Sequence, residues 1–340
     1  MKTIVKLALM TSMFISASYS HANNNSKVFS PMVDLKNAKS FCAGRYTIQL
    51  PKNVEQIAGG DIFNSFQIKS KTGSSVAELN AEYASLKDYF TSKVSKITLD
   101  TELKIFGSKS VRIFSGKAGT IEGAPLQLHF WVLDRNTLFK FEIPYMPEKK
   151  GLVFDEMNKI IANISARNND TVPSEKGVCI LNGFIKDSDS QFRRSTHTIA
   201  FKMSDMPSVR TSMQVDAVAH QLPDLITRTE SNLKRDGILH LTYTSFKTIR
   251  KGTKNQTSGD QLTGSEWVSK APMKGRNGII ATWEHAGTAQ KINDPAVKYE
   301  FDSGYDGSNV RTSDLSEKEA LKIYESILET IKNSRNNYDD

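Results

Sequence analysis

The sequence is poor in the groupings that reactive proteins use. Its two cysteines, Cys42 and Cys179, form no Cys-x-x-C pair, so thiol exchange is not its expected chemistry. No Gly-x-Ser-x-Gly elbow is present to raise a nucleophilic serine between strand and helix. Gly107-Ser-Lys-Ser110 and Gly73-Ser-Ser75 place serine near glycine without completing that motif. Histidines beyond the N-terminal stretch, His129, His197, His220, His240 and His285, are scattered singly, and metal ligands need helical or hairpin spacing. Phosphate-cradling loops are missing. The glycine-bounded stretch from Gly252 to Gly259 lacks a following helix and reads as a flexible loop. No cofactor is expected. Nor does any later run reach the roughly 20 apolar residues of a membrane helix, so no integral membrane segment is expected. The mean hydropathy of -0.41 suits an aqueous protein.

What is present begins with an export signal. Lys2 and Lys6 precede an apolar stretch, Leu7 to Ala17, and Ser20-His21-Ala22 offers small residues at the positions a signal peptidase accepts. Residues 1–22 are therefore expected to be removed, with Asn23 first in the mature chain. The first cysteine is too far from that cut to carry a lipid anchor. Removing Lys2 and Lys6 leaves 43 basic against 37 acidic side chains. This mild, unclustered excess does not indicate nucleic-acid binding and suits acidic partners or anionic surfaces. In an oxidising compartment Cys42 and Cys179 are expected to join in a disulfide, the alternative being two buried thiols that never meet.

Hydrophobic periodicity divides the chain into two similar halves. In the first, strands are expected at Tyr46 to Leu50, Ile62 to Ile68, Leu103 to Phe106, Ser110 to Ser115, Leu126 to Leu133 and Thr137 to Ile143. One helix is expected where Val76, Leu79, Tyr83, Leu86, Phe90 and Val94 recur at helical steps, and another near Lys149 to Ala166. Residues 167–176 are polar and contain Pro173, which marks a linker. Beyond it, strands are expected at Val178 to Ile185, Thr196 to Phe201, Ser212 to Val218, Leu239 to Thr248, Ile279 to Glu284 and Val297 to Phe301. Helices are expected at Asp224 to Lys234 and Ser316 to Lys332. Each half reads strands, helix, strands, helix. The expected class is α+β, with two consecutive domains, 23–166 and 177–340, each an antiparallel sheet with helices on one face. The alternative is chance similarity within a limited menu of elements.

Two short stretches carry a resemblance. Cys-Ala-Gly-Arg-Tyr-Thr-Ile-Gln-Leu-Pro at 42–51 and Gly-Val-Cys-Ile-Leu-Asn-Gly-Phe-Ile at 177–185 resemble the openings of the two domains in immunity proteins that protect type VI secreting bacteria against phospholipase (lipase) effectors. Gly264-Ser-Glu266, Trp283, Gly287 and Asp294-Pro295 are similar to the second domain of that family. The resemblance implies a non-enzymatic inhibitor, monomeric before binding, that waits in the periplasm, grips an incoming lipase and blocks its access to lipid. A module that binds or assembles cell-envelope components is the alternative. Gly44, Arg45, Pro51, Gly183 and Phe184 are expected to serve the scaffold, through a turn, an ion pair and a strand end.

Binding surfaces favour loops on rigid scaffolds. Three polar stretches qualify: Lys186 to Arg194, Arg250 to Gln261, and Asp302 to Arg311. Within them Phe192, Arg193, Arg194, Lys251, Lys254, Asp302, Tyr305, Asp306 and Arg311 are the candidate partner contacts, since aromatic and charged side chains combine contact area with directional bonds. Solvated loop decoration is the alternative at each.

Overall fold

The computed structural model describes residues 35–93, 95–118, 122–188, 191–240, 246–270, 278–304 and 313–334. The expected export segment lies outside these residues, as do Tyr305, Asp306 and Arg311.

The first half contains β1 (Lys39–Ala43), β2 (Tyr46–Leu50), β3 (Val54–Phe63), β4 (Phe66–Thr72), α1 (Val76–Ser92), β5 (Ser95–Asp100), β6 (Lys104–Phe106), β7 (Lys109–Ala118), β8 (Leu126–Asp134), β9 (Thr137–Tyr145), α2 (Lys150–Asn163) and β10 (Ile164–Ala166). The second contains β11 (Gly177–Ile180), β12 (Gly183–Lys186), β13 (Ser195–Met203), β14 (Val209–Ala217), α3 (Leu225–Arg235), β15 (Lys247–Thr253), β16 (Ser265–Lys270), β17 (Ile279–His285), β18 (Ala296–Ser303), α4 (Glu317–Leu328) and β19 (Lys332–Asn333). Apart from β6, these elements repeat the first series in kind and order.

Local chemistry explains where elements begin and break. The Ser75 side chain accepts from the Glu78 amide and starts α1. Ser316 and Glu319 form a reciprocal capping box at α4. A single strand expected from Ile62 to Ile68 is a hairpin instead, because Asn64 (φ 48°) and Ser65 (φ 70°) make a two-residue turn with both dihedrals positive. The strand expected from Val178 to Ile185 is likewise split at Asn182 (φ 59°) into β11 and β12. Of the strand expected at Leu239 to Thr248, only its end falls in β15, and residues 241–245 lie outside the described residues. The helix expected to reach Ala166 stops at Asn163 and continues as β10.

One antiparallel sheet runs through both halves in the order β15-β16-β17-β18-β14-β13-β3-β4-β9-β8-β7-β5, with β6 beside β7. The halves meet where β13 pairs with β3, from Ser195 opposite Phe63 to Met203 opposite Val54. Read outward from that junction, the two sides list corresponding strands in the same order. The fold therefore has an approximate twofold axis through β3 and β13. Strand side chains alternate between faces, and each face carries helices. Phe130, Val132, Phe139 and Phe141 pack toward α2, while Trp131, Leu133 and Leu138 pack toward α1 on the other side. In the second half α4 covers Trp283, Tyr299 and Phe301, and α3 lies against β16 on the opposite face.

The halves also exchange their opening hairpins. The β1–β2 hairpin pairs with β19, which follows α4, and its Phe41, Tyr46, Ile48 and Leu50 join the core of the second half. Reciprocally, β12 pairs with β10, which follows α2, and Val178, Ile180 and Ile185 join the core of the first. Burying each large apolar side chain contributes about 1.5–3 kcal/mol, so each core depends on a segment from the other half. The hairpins touch where they cross. Gly44 and Cys179 exchange backbone hydrogen bonds of 2.8 Å in both directions, and Cys42 is disulfide-bonded to Cys179, as expected, with Cα atoms 5.8 Å apart.

Candidate interaction surface

The residues that carry the resemblance hold the scaffold. Gly44 sits at φ +55°, and a Cβ there would lie 2.8 Å from Val215 Cγ1, so both conformation and space require glycine. The Arg45 guanidinium donates to Asp187 Oδ2 at 2.9 Å and to the Gly177 carbonyl at 3.1 Å. Asp187 also accepts from Arg193 (2.9 Å), which donates in turn to Glu156 (2.8 Å). This buried chain of alternating charges fastens the β1–β2 turn, α2 and the β12–β13 connection together. In the second half a Cβ on Gly264 would lie 2.5 Å from the Trp283 ring, and Trp283 Nε1 donates to the Lys254 carbonyl at 2.7 Å. Burial opposes ionisation of Asp294, but hydrogen bonds from Thr288 and His285 outweigh it and hold its pKa below the ordinary value.

The expected linker is also anchored. Arg167 donates to the carbonyls of Gly183 (2.9 Å), Thr171 (3.0 Å), Cys42 (3.3 Å) and Ile180 (3.3 Å). Burial lowers its pKa to about 10, partly offset by Asp61 and Asp170, so it stays cationic at neutral pH.

The candidate contacts fall in different environments. Arg193 is spent on the internal charge chain and is largely buried. Phe192 is half-buried, whereas Arg194 is exposed. Lys251 pairs with Glu230 and lies 4.9 Å from the centre of the Trp267 ring. Both Lys254 backbone groups are bonded, the amide donating to Gly264 O at 2.8 Å. Asp302 belongs to β18 rather than to a loop. The stretch read as a flexible loop is tied to the end of α4. Glu329 accepts from the Thr257 and Ser258 amides at 2.8 Å each, and the Gln256 side chain donates to Leu328 O and Ile331 O. Glycine spacing and polarity alone do not reveal such anchoring, because its partners lie more than 70 residues away.

Among the described residues no group of three or more His, Cys, Asp or Glu side chains could hold a metal ion. The histidines that face charged partners have separate surroundings. His197 is fully buried and shares a 2.8 Å hydrogen bond with Asp61 at the β3–β13 junction. His285 lies 2.8 Å from Asp294. His129 stacks on Trp131 and meets Phe90 edge-on.

Between α1 and α3 the same sheet face is floored by β9, β4, β3, β13, β14 and β18. At an interstrand spacing of about 4.8 Å these strands span roughly 24 Å, wide enough for a helix of about 10–12 Å diameter. A Cβ on Gly60 would meet nothing within 4 Å, and Ile62, Lys69 and Gln67 are exposed there. Two clefts occupy positions that the approximate twofold interchanges. One, about 450 Å³, lies between α1 and β4–β9 and is lined by Lys69, Tyr89 and Lys140. The other, about 420 Å³, lies beside α3 and is lined by Arg194, Leu222 and Lys298. A third, about 750 Å³, lies on the opposite face over Glu156, Asp187 and Arg193, whose charges are already paired within the chain that Arg45 completes.

Residues 171–336 match the family model described as Tle cognate immunity protein 4 C-terminal domain. Among solved structures the chain is similar to one in the Tle4–Tli4 complex, at 19% identity and a TM-score of 0.71, over 88% of this chain and 99% of that one. It is similar to apo TplEi, an immunity protein of the T6SS from Pseudomonas aeruginosa, at 18% identity and a TM-score of 0.71, over 89% of this chain and 99% of that one. TplEi complexed with the "L" peptide matches at 19% identity and a TM-score of 0.67, over 88% and 99%. Likeness at this identity is one of fold. No curated protein matches the chain.

Proposed function

We propose that this chain, whose residues 171–336 match the family model of the Tle cognate immunity protein 4 C-terminal domain, is an immunity protein that binds a type VI secreted phospholipase effector and stops it by covering its access to lipid. The family match is the observation that carries this reading. A fold shared along nearly the full length with a chain of the Tle4–Tli4 complex and with TplEi supports extending it to both halves. Inhibition here is stoichiometric: the chain contributes a surface and turns over no substrate. The buried disulfide suits an oxidising compartment, and residues 1–22 would deliver the chain to the periplasm, where an incoming effector meets its lipid. Two units flanking residues 167–176, each completed by the other's hairpin, would present that surface with little ordering cost on binding.

Of the candidate contacts, Arg194 offers an exposed cation on the open sheet face. The other contacts that we propose are Phe192, Arg193, Lys251, Lys254 and Asp302, through the surface that their internal bonds leave, together with Tyr305, Asp306 and Arg311, which lie outside the described residues. TplEi is described in complex with a peptide, which supports a partner held partly through one short segment. The test is rescue. A phospholipase effector directed to the periplasm should kill cells that lack this chain and spare cells that export it. Equal killing in both would remove the reading.

A further inference from the structure

The cleft beside α3 holds one cation that its described neighbours leave without a partner. Arg228 donates two hydrogen bonds to Glu284, at 3.0 and 2.5 Å. Asp216 accepts from Gln214 at 2.7 Å, and Lys298 lies 3.1 Å from Glu300. Arg194, by contrast, is exposed, and its guanidinium has no partner among the described residues. Its backbone is nevertheless fixed. The Asn64 amide donates to Arg194 O at 2.9 Å, and the next residue, Ser195, is paired with both Phe63 and Ala217. A cation held at its base on the wall of a cleft whose Arg228, Glu284, Asp216 and Lys298 are already hydrogen-bonded or paired is open to an anion.

The surroundings narrow the kind of anion. Leu222 on the cleft wall is 45% exposed, and Ile62 on the neighbouring strand is 39% exposed, so a ligand that fills the site meets apolar surface beside the charge. A volume of about 420 Å³ suits a few side chains and not a folded domain. Guanidinium geometry matches a carboxylate through two parallel hydrogen bonds. We propose that the Arg194 cleft is a recognition site for a carboxylate side chain on an apolar segment of a partner protein, with Leu222 packing against the aliphatic neighbour of that acid. The proposal rests on the immunity reading for the partner's identity, and the site itself is independent of it.

Two measurements separate these claims. In the first, the mature chain and its variants Arg194→Glu, Arg194→Lys and Lys318→Glu bind the effector that the unmodified chain inhibits. Arg194→Glu should weaken the complex roughly 30-fold or more, since a buried charge pair becomes a repulsion. Arg194→Lys should lose less, and Lys318→Glu, exposed on α4 across the sheet, should bind as the unmodified chain does. In the second, acetyl-Ile-Glu-Leu-amide and its glutamine counterpart are titrated while the Arg194 Nε–H signal is followed by NMR. The glutamate peptide alone should shift it. Full-strength effector binding by Arg194→Glu would overturn the site and leave the immunity reading intact. A glutamate-specific shift in a chain that inhibits no effector would do the reverse. Equal shifts with both peptides, or capture of anionic phospholipid vesicles through Arg194 in place of the glutamate peptide, would also overturn it.

Discussion

His129 shows how one residue couples burial to pH. It sits against the rings of Phe90 and Trp131, with Lys140 and Glu142 as its charged neighbours. Burial first, and then Lys140, lower its pKa to about 4, against a smaller opposing pull from Glu142. The folded state therefore resists protonation more than the unfolded state, whose histidine titrates near 6.5. Stability from this site is complete above pH 6.5 and is lost as pH falls toward 4, by at most roughly 3 kcal/mol. Replacing His129 with Phe keeps an aromatic ring and removes the titration. Urea unfolding at pH 7 and pH 4.5 should show a smaller acid loss in His129→Phe than in the unmodified chain.

At the scale of elements, the connection between β15 and β16 depends on one carboxylate. Burial works against ionisation of Glu329, but hydrogen bonds from Ser258 and Thr257 prevail and keep its pKa low. In Glu329→Ala the Thr257 and Ser258 amides lose their acceptor, and their hydrogen exchange should speed markedly while exchange within β8 and β9 stays unchanged. Loss of protection confined to these amides would confirm the tie. Helices with strong apolar stripes and the β8–β9 hairpin were legible in the sequence, because their determinants are local: helical spacing in α1 and α4, alternation and a short polar turn between Asp134 and Thr137. The split of the expected Ile62 to Ile68 strand was not, since its Asn64–Ser65 turn lacks the glycine that usually marks one. Neither were β5 and β16, short segments whose burial depends on distant neighbours. The disulfide was legible from compartment and count. The charge chain through Arg45, Asp187, Arg193 and Glu156 was not, because proximity in sequence placed Arg193 among exposed loop residues.

For the whole molecule, the hairpin exchange is the feature that periodicity could not reveal, because Thr47 and Lys332 pair across 285 residues. Its consequence is mutual dependence of the halves. A protease site introduced at Pro173–Ser174 should yield two fragments that still elute together under reducing conditions, since β3–β13 pairing and both hairpins hold them. Fragments that separated once reduced would show that the disulfide alone joins them. Replacing Cys42 and Cys179 with alanine should lower stability by up to about 4–5 kcal/mol on the chain-entropy model, while the sheet stays continuous.

Such a body offers a fixed surface with an open sheet face, and the central claim is that this surface stops a phospholipase by occupying it. The most direct measurement is phospholipid hydrolysis by a purified type VI phospholipase effector, titrated with the purified chain lacking residues 1–22. Hydrolysis should fall to background as the ratio approaches one to one, and the chain alone should release no fatty acid. An effector that keeps its full rate in molar excess of the chain, or hydrolysis by the chain itself, would contradict the account.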